Sequence, residues 1–231
     1  IQNVLKLLEH GKKPQTILEL KVHHSIPRHL RNMAFYKKAR HNVRCQRGLS
    51  DSFKLALKKS RDYLPAIKRE LQRQNMPEDL AYLPHLESGF NMKAHSKVGA
   101  RGLWQIMPST GREAGMVINN SRDDRLNTEK ATSVAIKKLR KYYLNTKAWG
   151  LALTSYNYGP NGIRRAINKY GTNDYTMIRQ KHSSPIFGFA AKNFYPSFLA
   201  VRNLAKRHER LEALTPQIAV EDKAVLSSYR R

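Results

Sequence analysis

The sequence predicts a mainly α-helical protein. Three observations carry this: apolar residues recur at helical spacing in segment after segment, Gly and Pro punctuate the gaps between those segments, and almost no run alternates apolar with polar residues as a half-buried strand would.

The first segment, residues 1–59, reads as a basic helical extension. Up to Arg61 the chain holds 15 Lys and Arg against 3 acidic residues. Val4, Leu7 and Leu8, then Phe53, Leu55 and Leu57, suffice for short helices that dock onto something but not for an independent core. A packing extension and a polyanion-binding arm are both open readings of it. From about residue 60 the signals sharpen. Leu64, Ile67 and Leu71 stand at spacings of 3 and 4, with Pro65 tolerable if it falls in a first helical turn. Asn75 and Pro77 then restart the chain, Glu78 and Asp79 favour a first turn, and Gly89 follows as a stop, so a helix is expected over 76–88. Gly99, Gly102 and Pro108 make 90–109 a loop or short hairpin. Ala131, Ala135, Leu139 and Tyr142 predict a long helix over 128–145. Another is expected over 148–157, closed by Gly159 and Pro160, and a short one over 162–170 ending at Gly171. After a loop containing Pro185, residues 188–211 read as a last long helix that Pro196 kinks or breaks. Residues 60–212 thus form the main domain and 213–231 a tail.

A chain of 231 residues, 40% of them hydrophobic, can bury a sizeable core. Its formal charge of +26 implies a polyanionic partner: nucleic acid, an anionic membrane face, or a bacterial wall with its peptide carboxylates and phosphate polymers. Charge alone does not choose among them, and a generally basic surface explains it equally well. The single cysteine, Cys45, excludes an internal disulfide and a multi-Cys metal site. His23 and His24 are adjacent, not four apart on a helix, and no HExxH occurs, so neither metal nor cofactor is expected. Helix-turn-helix, zinc-finger and RNA-binding signatures are also missing, leaving no dedicated nucleic-acid motif. No stretch approaches 18 consecutive apolar residues, and Ile1 in place of Met is read as the start of a form processed from a longer precursor. A monomer is expected.

Leu80, Leu83 and Glu87 fall at i, i+3 and i+7, which puts a carboxylate on the stripe of two core-facing leucines. Partial burial and the negative end of the helix would both raise its pKa. Such a carboxyl keeps its proton near neutral pH, as protonation of a glycosidic oxygen requires. On spacing alone the plainer reading leads: an amphipathic helix whose last turn meets solvent.

Residues 77–110, PEDLAYLPHLESGFNMKAHSKVGARGLWQIMPST, with 149–160, WGLALTSYNYGP, resemble the catalytic domain of the soluble-type lytic transglycosylases, glycoside hydrolase family 23, which includes goose-type lysozymes. The LPxxESxFN opening and GLWQ are most like the membrane-bound lytic murein transglycosylase D type. The likeness covers about residues 60–205. It implies a lysozyme-like helical fold and cleavage of the β-1,4 bond between N-acetylmuramic acid and N-acetylglucosamine in peptidoglycan strands. Glu87 then matches the general acid, with Ser88 beside it. Ser96 matches a hydroxyl near the reacting sugar, Gln105 a substrate contact, Tyr156 and Asn157 the cleft-lining pair of AYNAGP, and Tyr195 a further aromatic approaching the glutamate. Read from the residues alone, Tyr156 could equally be a core aromatic and Gln105 and Asn157 loop or cap residues.

The resemblance further implies a non-hydrolytic route to 1,6-anhydromuramyl ends, with one glutamate acting twice and the substrate's N-acetyl group in support. It places the activity outside the cytoplasm: periplasmic or secreted, with outer-membrane association. A hydrolytic lysozyme of the same fold is the alternative, with Asp123 or Asp124 as the second carboxylate, although capping or solvent exposure is the plainer reading of both. A non-catalytic wall- or nucleic-acid-binding module is a more distant one. SYNYGP in place of AYNAGP puts the bulky Tyr158 where a small residue is usual, so a different cleft shape or substrate preference is expected.

Overall fold

The computed structural model describes residues 1–43 and 49–228, with side chains over 1–43 and 50–213. Cys45 and the side chains of the tail past Ala213 lie outside the described residues. No strand occurs among the described residues, and the chain divides into two compact units, Ile1–Ser50 and Asp51–Arg231.

The first unit holds α1 (Gln2–Glu9), α2 (Ile17–His24) and α3 (Met33–Asn42). Contrary to expectation it has a core of its own, in which Val4, Leu5, Leu8, Ile26 and Tyr36 are buried together. Leu5, rather than Leu7, joins Val4 and Leu8 on the buried face, while Leu7 faces outward. Thr16 and Glu19 cap α2 reciprocally, so the first free amides of that helix are satisfied. Arg40 pairs with Glu9 at 2.6 Å and ties α3 to α1.

The second unit begins on α4 (Leu49–Arg73), which starts about ten residues earlier than expected. Pro65 therefore lies inside the helix, not in its first turn, and removes the N–H that would have bonded the Arg61 carbonyl. The helix tolerates this because Leu57, Leu64, Ile67 and Leu71 hold one continuous buried stripe across the proline. Asn75 then takes a positive φ of 49° and ends the run.

Residues 76–88 do not form one helix. A 3₁₀ turn, Glu78–Tyr82, is followed by the single-turn α5 (Pro84–Glu87). Pro84 is the cause: without an N–H it cannot bond the Leu80 carbonyl, so the ladder breaks there. Leu80 and Leu83 are nevertheless buried at 2% and 0% exposure, which keeps the following turn against the core.

The expected loop or hairpin region is a loop pinned by isolated bridges between His95 and Arg101 and between Arg101 and Ile106. At Gly102, φ is 79° and an added Cβ would sit 2.3 Å from the Arg125 carbonyl oxygen, so only glycine fits. Trp104, fully buried, anchors the loop by donating from its indole N–H to Thr132 Oγ1 at 3.0 Å. The short α6 (Pro108–Glu113) follows.

The long α7 (Thr128–Thr146) packs along α8 (Trp149–Tyr158), whose residues Gly150 to Tyr156 are all buried. Around α8 lie α9 (Pro160–Tyr170) and α11 (Phe189–Ser228), with the small α10 (Tyr175–Lys181) against α9. Leu153 and Tyr156 face the main core, and Leu151 faces a second cluster with Ile163, Ile178 and Phe187. Helix α11 runs through Pro196 without a break and continues into the region read as a tail.

Candidate active site

Glu87 is the last residue of α5. One carboxylate oxygen, Oε1, is shielded from solvent and has no hydrogen-bond partner. Burial pushes the carboxyl up to about 8, against an opposing pull from the Lys138 ammonium. Of the two causes expected from sequence, burial therefore acts and the helix dipole does little, because four residues make a weak dipole. Pro84, which broke the helix, thus also left the acid to depend on its apolar surroundings.

The turn that presents Glu87 is held from the side. Ser88 Oγ donates to the Leu103 carbonyl at 2.8 Å, and Tyr156 Oη donates to the adjacent Trp104 carbonyl at 2.8 Å. Two elements, the α5 terminus and α8, are thereby fastened to one short segment of the 88–107 loop. The Tyr156 hydroxyl is driven well above its usual pKa by burial, then by the charge of Glu87 and by Tyr142, so it stays a neutral donor.

Lys138 was not foreseen. It lies on α7 between Ala135 and Tyr142, at the edge of their buried stripe, which is the signal that could have found it. Its Nζ stands 4.6 Å from the centre of the Tyr156 ring and 5.8 Å from that of Tyr142. Burial lowers its pKa, while Glu87 and Glu113 favour its charged form. Lys138 also lines a cavity of about 470 Å³ with Thr110, Glu113, Val134 and Tyr142. A proton-retaining carboxyl, an ammonium group and two tyrosines thus form one electrostatically coupled group at the edge of a cleft.

The other residues expected at the site are distributed as follows. Ser96 closes a turn: its Oγ accepts from the Ala100 amide at 2.9 Å. Gln105, with φ of 46°, donates to the Gly102 carbonyl at 2.9 Å. Asn157 is exposed on α8 beside Tyr156. Tyr195 meets Tyr175 edge-on at 5.0 Å. Among the described residues no hydrogen bond joins these four to Glu87, and of the residues expected at the site Tyr156 is the one that interacts electrostatically with it. Tyr158 packs against the second core cluster. Its ring covers Gly162, packs edge-on to Phe187 at 4.8 Å and hydrogen-bonds Ser184 at 2.9 Å, within the second core cluster.

The two aspartates are engaged elsewhere. Asp123 accepts from Arg125 at 2.7 and 2.9 Å and from Arg101 at 3.0 Å, and caps the turn Asp124–Leu126. Asp124 accepts from Arg122, Lys130 and the Val117 amide. Hydrogen bonds, first from Arg125, hold Asp123 down at about 2.

A helical domain that shields one glutamic acid whose pKa burial raises, near the cavity-lining Lys138 and with Ser96 and Gln105 in the adjoining loop, has the architecture of the lysozyme-like class. Residues 65–178 match the family model "Transglycosylase SLT domain", and the chain carries an SLT-type transglycosylase domain. It is 30% identical to the membrane-bound lytic murein transglycosylase D of Escherichia coli (strain K12) over 157 residues, 67% of this chain and 34% of that one. The protein of the same name from Escherichia coli O6:H1 (strain CFT073) matches equally. A protein of Alteromonas sp. (strain M-1) named for tributyltin chloride resistance is 32% identical over 109 residues, 46% of this chain and 52% of that one. The chain spans about a third of the length of the Escherichia coli relatives.

Proposed function

We propose that this chain cleaves the β-1,4 bond between N-acetylmuramic acid and N-acetylglucosamine in peptidoglycan by transglycosylation. The observation that carries the reading is Glu87 Oε1, shielded and unpartnered, on a carboxyl that burial keeps protonated up to about pH 8. Glu87 donates its proton to the bridging oxygen as the bond to muramyl C1 breaks. The resulting carboxylate, which the Lys138 ammonium favours, then takes the proton of the muramyl C6 hydroxyl while that oxygen bonds to C1. The products are a free N-acetylglucosamine hydroxyl and a 1,6-anhydromuramyl end, and Glu87 is protonated again. Ser96, Gln105, Asn157 and Tyr195 are proposed as contacts to the glycan that form when it binds. The site of action is outside the cytoplasm, periplasmic or secreted, with association to the outer membrane; no helix of the described residues is long and apolar enough to cross a membrane.

A hydrolytic route needs a second carboxylate to position water. Asp123 and Asp124 are both saturated by cationic partners, which disfavours them for that task. The test is digestion of purified sacculi by the wild-type chain and by Glu87→Gln, with soluble fragments identified by mass spectrometry. Anhydromuramyl ends from the wild type alone are the expected result. Reducing ends would reassign the chain as a lysozyme, and release of nothing by either form would leave a binding module.

A further inference from the structure

The cavity beside Lys138 carries an imbalance that the cleavage chemistry does not use. Lys137, Lys138 and Lys141 from α7 and Arg164 from α9 all line it, and Glu113 is the one acidic residue among its lining. Lys137 and Lys141 are four apart and Lys138 and Lys141 three apart, so these like charges are neighbours on the helix surface, which disfavours the helix itself. Some cations of the fold are paired, as Arg125 is with Asp123, Lys68 with Glu209 and Arg202 with Asp79. Lys137, Lys141 and Arg164 have no ion-pair partner among the described residues, and all three are exposed. Glu70 feels Lys137 at longer range, but Arg73 already holds that carboxylate at 2.7 Å. A concave wall of one sign focuses its potential into the cavity and favours an anion there. Lys138 connects this basin to the proposed acid, since it lines the cavity and interacts electrostatically with Glu87.

We propose that the basin formed by Lys137, Lys141 and Arg164 beside Lys138 is a subsite for the carboxylates of the muramyl peptide stem, so that the chain selects peptide-bearing strands over peptide-free glycan. The assignment rests on the cleavage reading above, because that reading brings a stem peptide next to the acid. Stem peptides carry free carboxylates, and a lysine pair with an arginine supplies donors for two of them.

The test measures equilibrium binding of the full chain carrying Glu87→Gln, which does not need turnover, to glycan strands with stem peptides and to strands stripped of them by amidase. Lys137→Gln and Lys141→Gln are then added together in that background. Both positions are exposed, so the fold should be kept, and a melting curve checks it. Loss of two surface charge pairs corresponds to a weakening of about 3- to 10-fold for peptide-bearing strands. Affinity for peptide-free strands should not change. Equal weakening on both strands would reduce the basin to general attraction, and no weakening on either would remove it; both overturn the proposal. Competition by polyglycerol phosphate as strong as that by peptide-bearing strands would also overturn it, by assigning the basin to phosphate polymers. Binding selectivity without anhydromuramyl release by the wild type would sink the cleavage reading and leave the subsite standing.

Discussion

Replacing Glu87 by glutamine should stabilise the protein, and by an amount that grows with pH. In the folded chain burial holds the carboxyl at about 8, whereas its ordinary value is 4.5. Between those values the folded form keeps a proton that the unfolded form has released, so wild-type stability falls as pH rises through this window. At about 1.4 kcal/mol per pH unit, the cost approaches ~1 kcal/mol at pH 5, ~3 at pH 7 and ~5 above pH 8. Relaxation around the ionised group roughly halves these ceilings, which leaves a growth of about 2 kcal/mol from pH 5 to pH 8. Glutamine does not titrate, so its own burial cost is a constant offset. Paired denaturation curves across pH 5–9 read the difference, and at about 2–4 °C per kcal/mol the melting gap should widen by several degrees. A gap that stays flat with pH would refute the reasoning, because it would mean that Glu87 ionises freely in the folded state and is no poised acid.

Activity on soluble glycan strands should decline as pH rises past about 8, where Glu87 loses its proton. Lys138→Met should move that decline to higher pH, since the ammonium favours the carboxylate; an unmoved profile would remove Lys138 from the site. His85 is buried among Phe53, Tyr82 and Phe90, has neither ring nitrogen bonded, and is pushed down to about 4 by burial. Its neutral form is favoured only in the folded state, so wild-type stability should be lost as pH falls from 6.5 towards 4, by up to about 3 kcal/mol, and His85→Leu should abolish that loss in urea titrations at pH 4 and 7. Asp123→Ala strands Arg125, which is only 5% exposed, and should cost about 3–5 kcal/mol in denaturation midpoints; a well-folded variant without turnover would instead make Asp123 catalytic.

The helical class, the positions of α7, α8 and α9 and the placing of Glu87 against the core were legible before any coordinate. Leu80, Leu83 and Glu87 share a spacing that places a carboxyl against the core, and Leu80 and Leu83 are buried as that spacing requires. The means differ, since Pro84 divides the expected helix and the burial survives because a 3₁₀ turn and one α-turn carry the two leucines inward. Pro65 illustrates the opposite error. A local rule moved the helix start to keep the proline near an end, yet Leu57 through Leu71 form one stripe whose packing outweighs a single lost hydrogen bond.

Periodicity and motif spacing thus determined what is local: which residues turn inward on each helix, where Gly and Pro stop it, and which glutamate stands out of place. Tertiary structure decided what depends on residues far apart in the chain. Lys138 meets Tyr156 across 18 positions, Ser88 reaches Leu103 across 15, and Asp123 and Asp124 are held in ion pairs by arginines and a lysine gathered around them. The pKa of Glu87 belongs to this second group, because burial is a property of everything packed around a carboxyl, and no single stretch of sequence contains its surroundings.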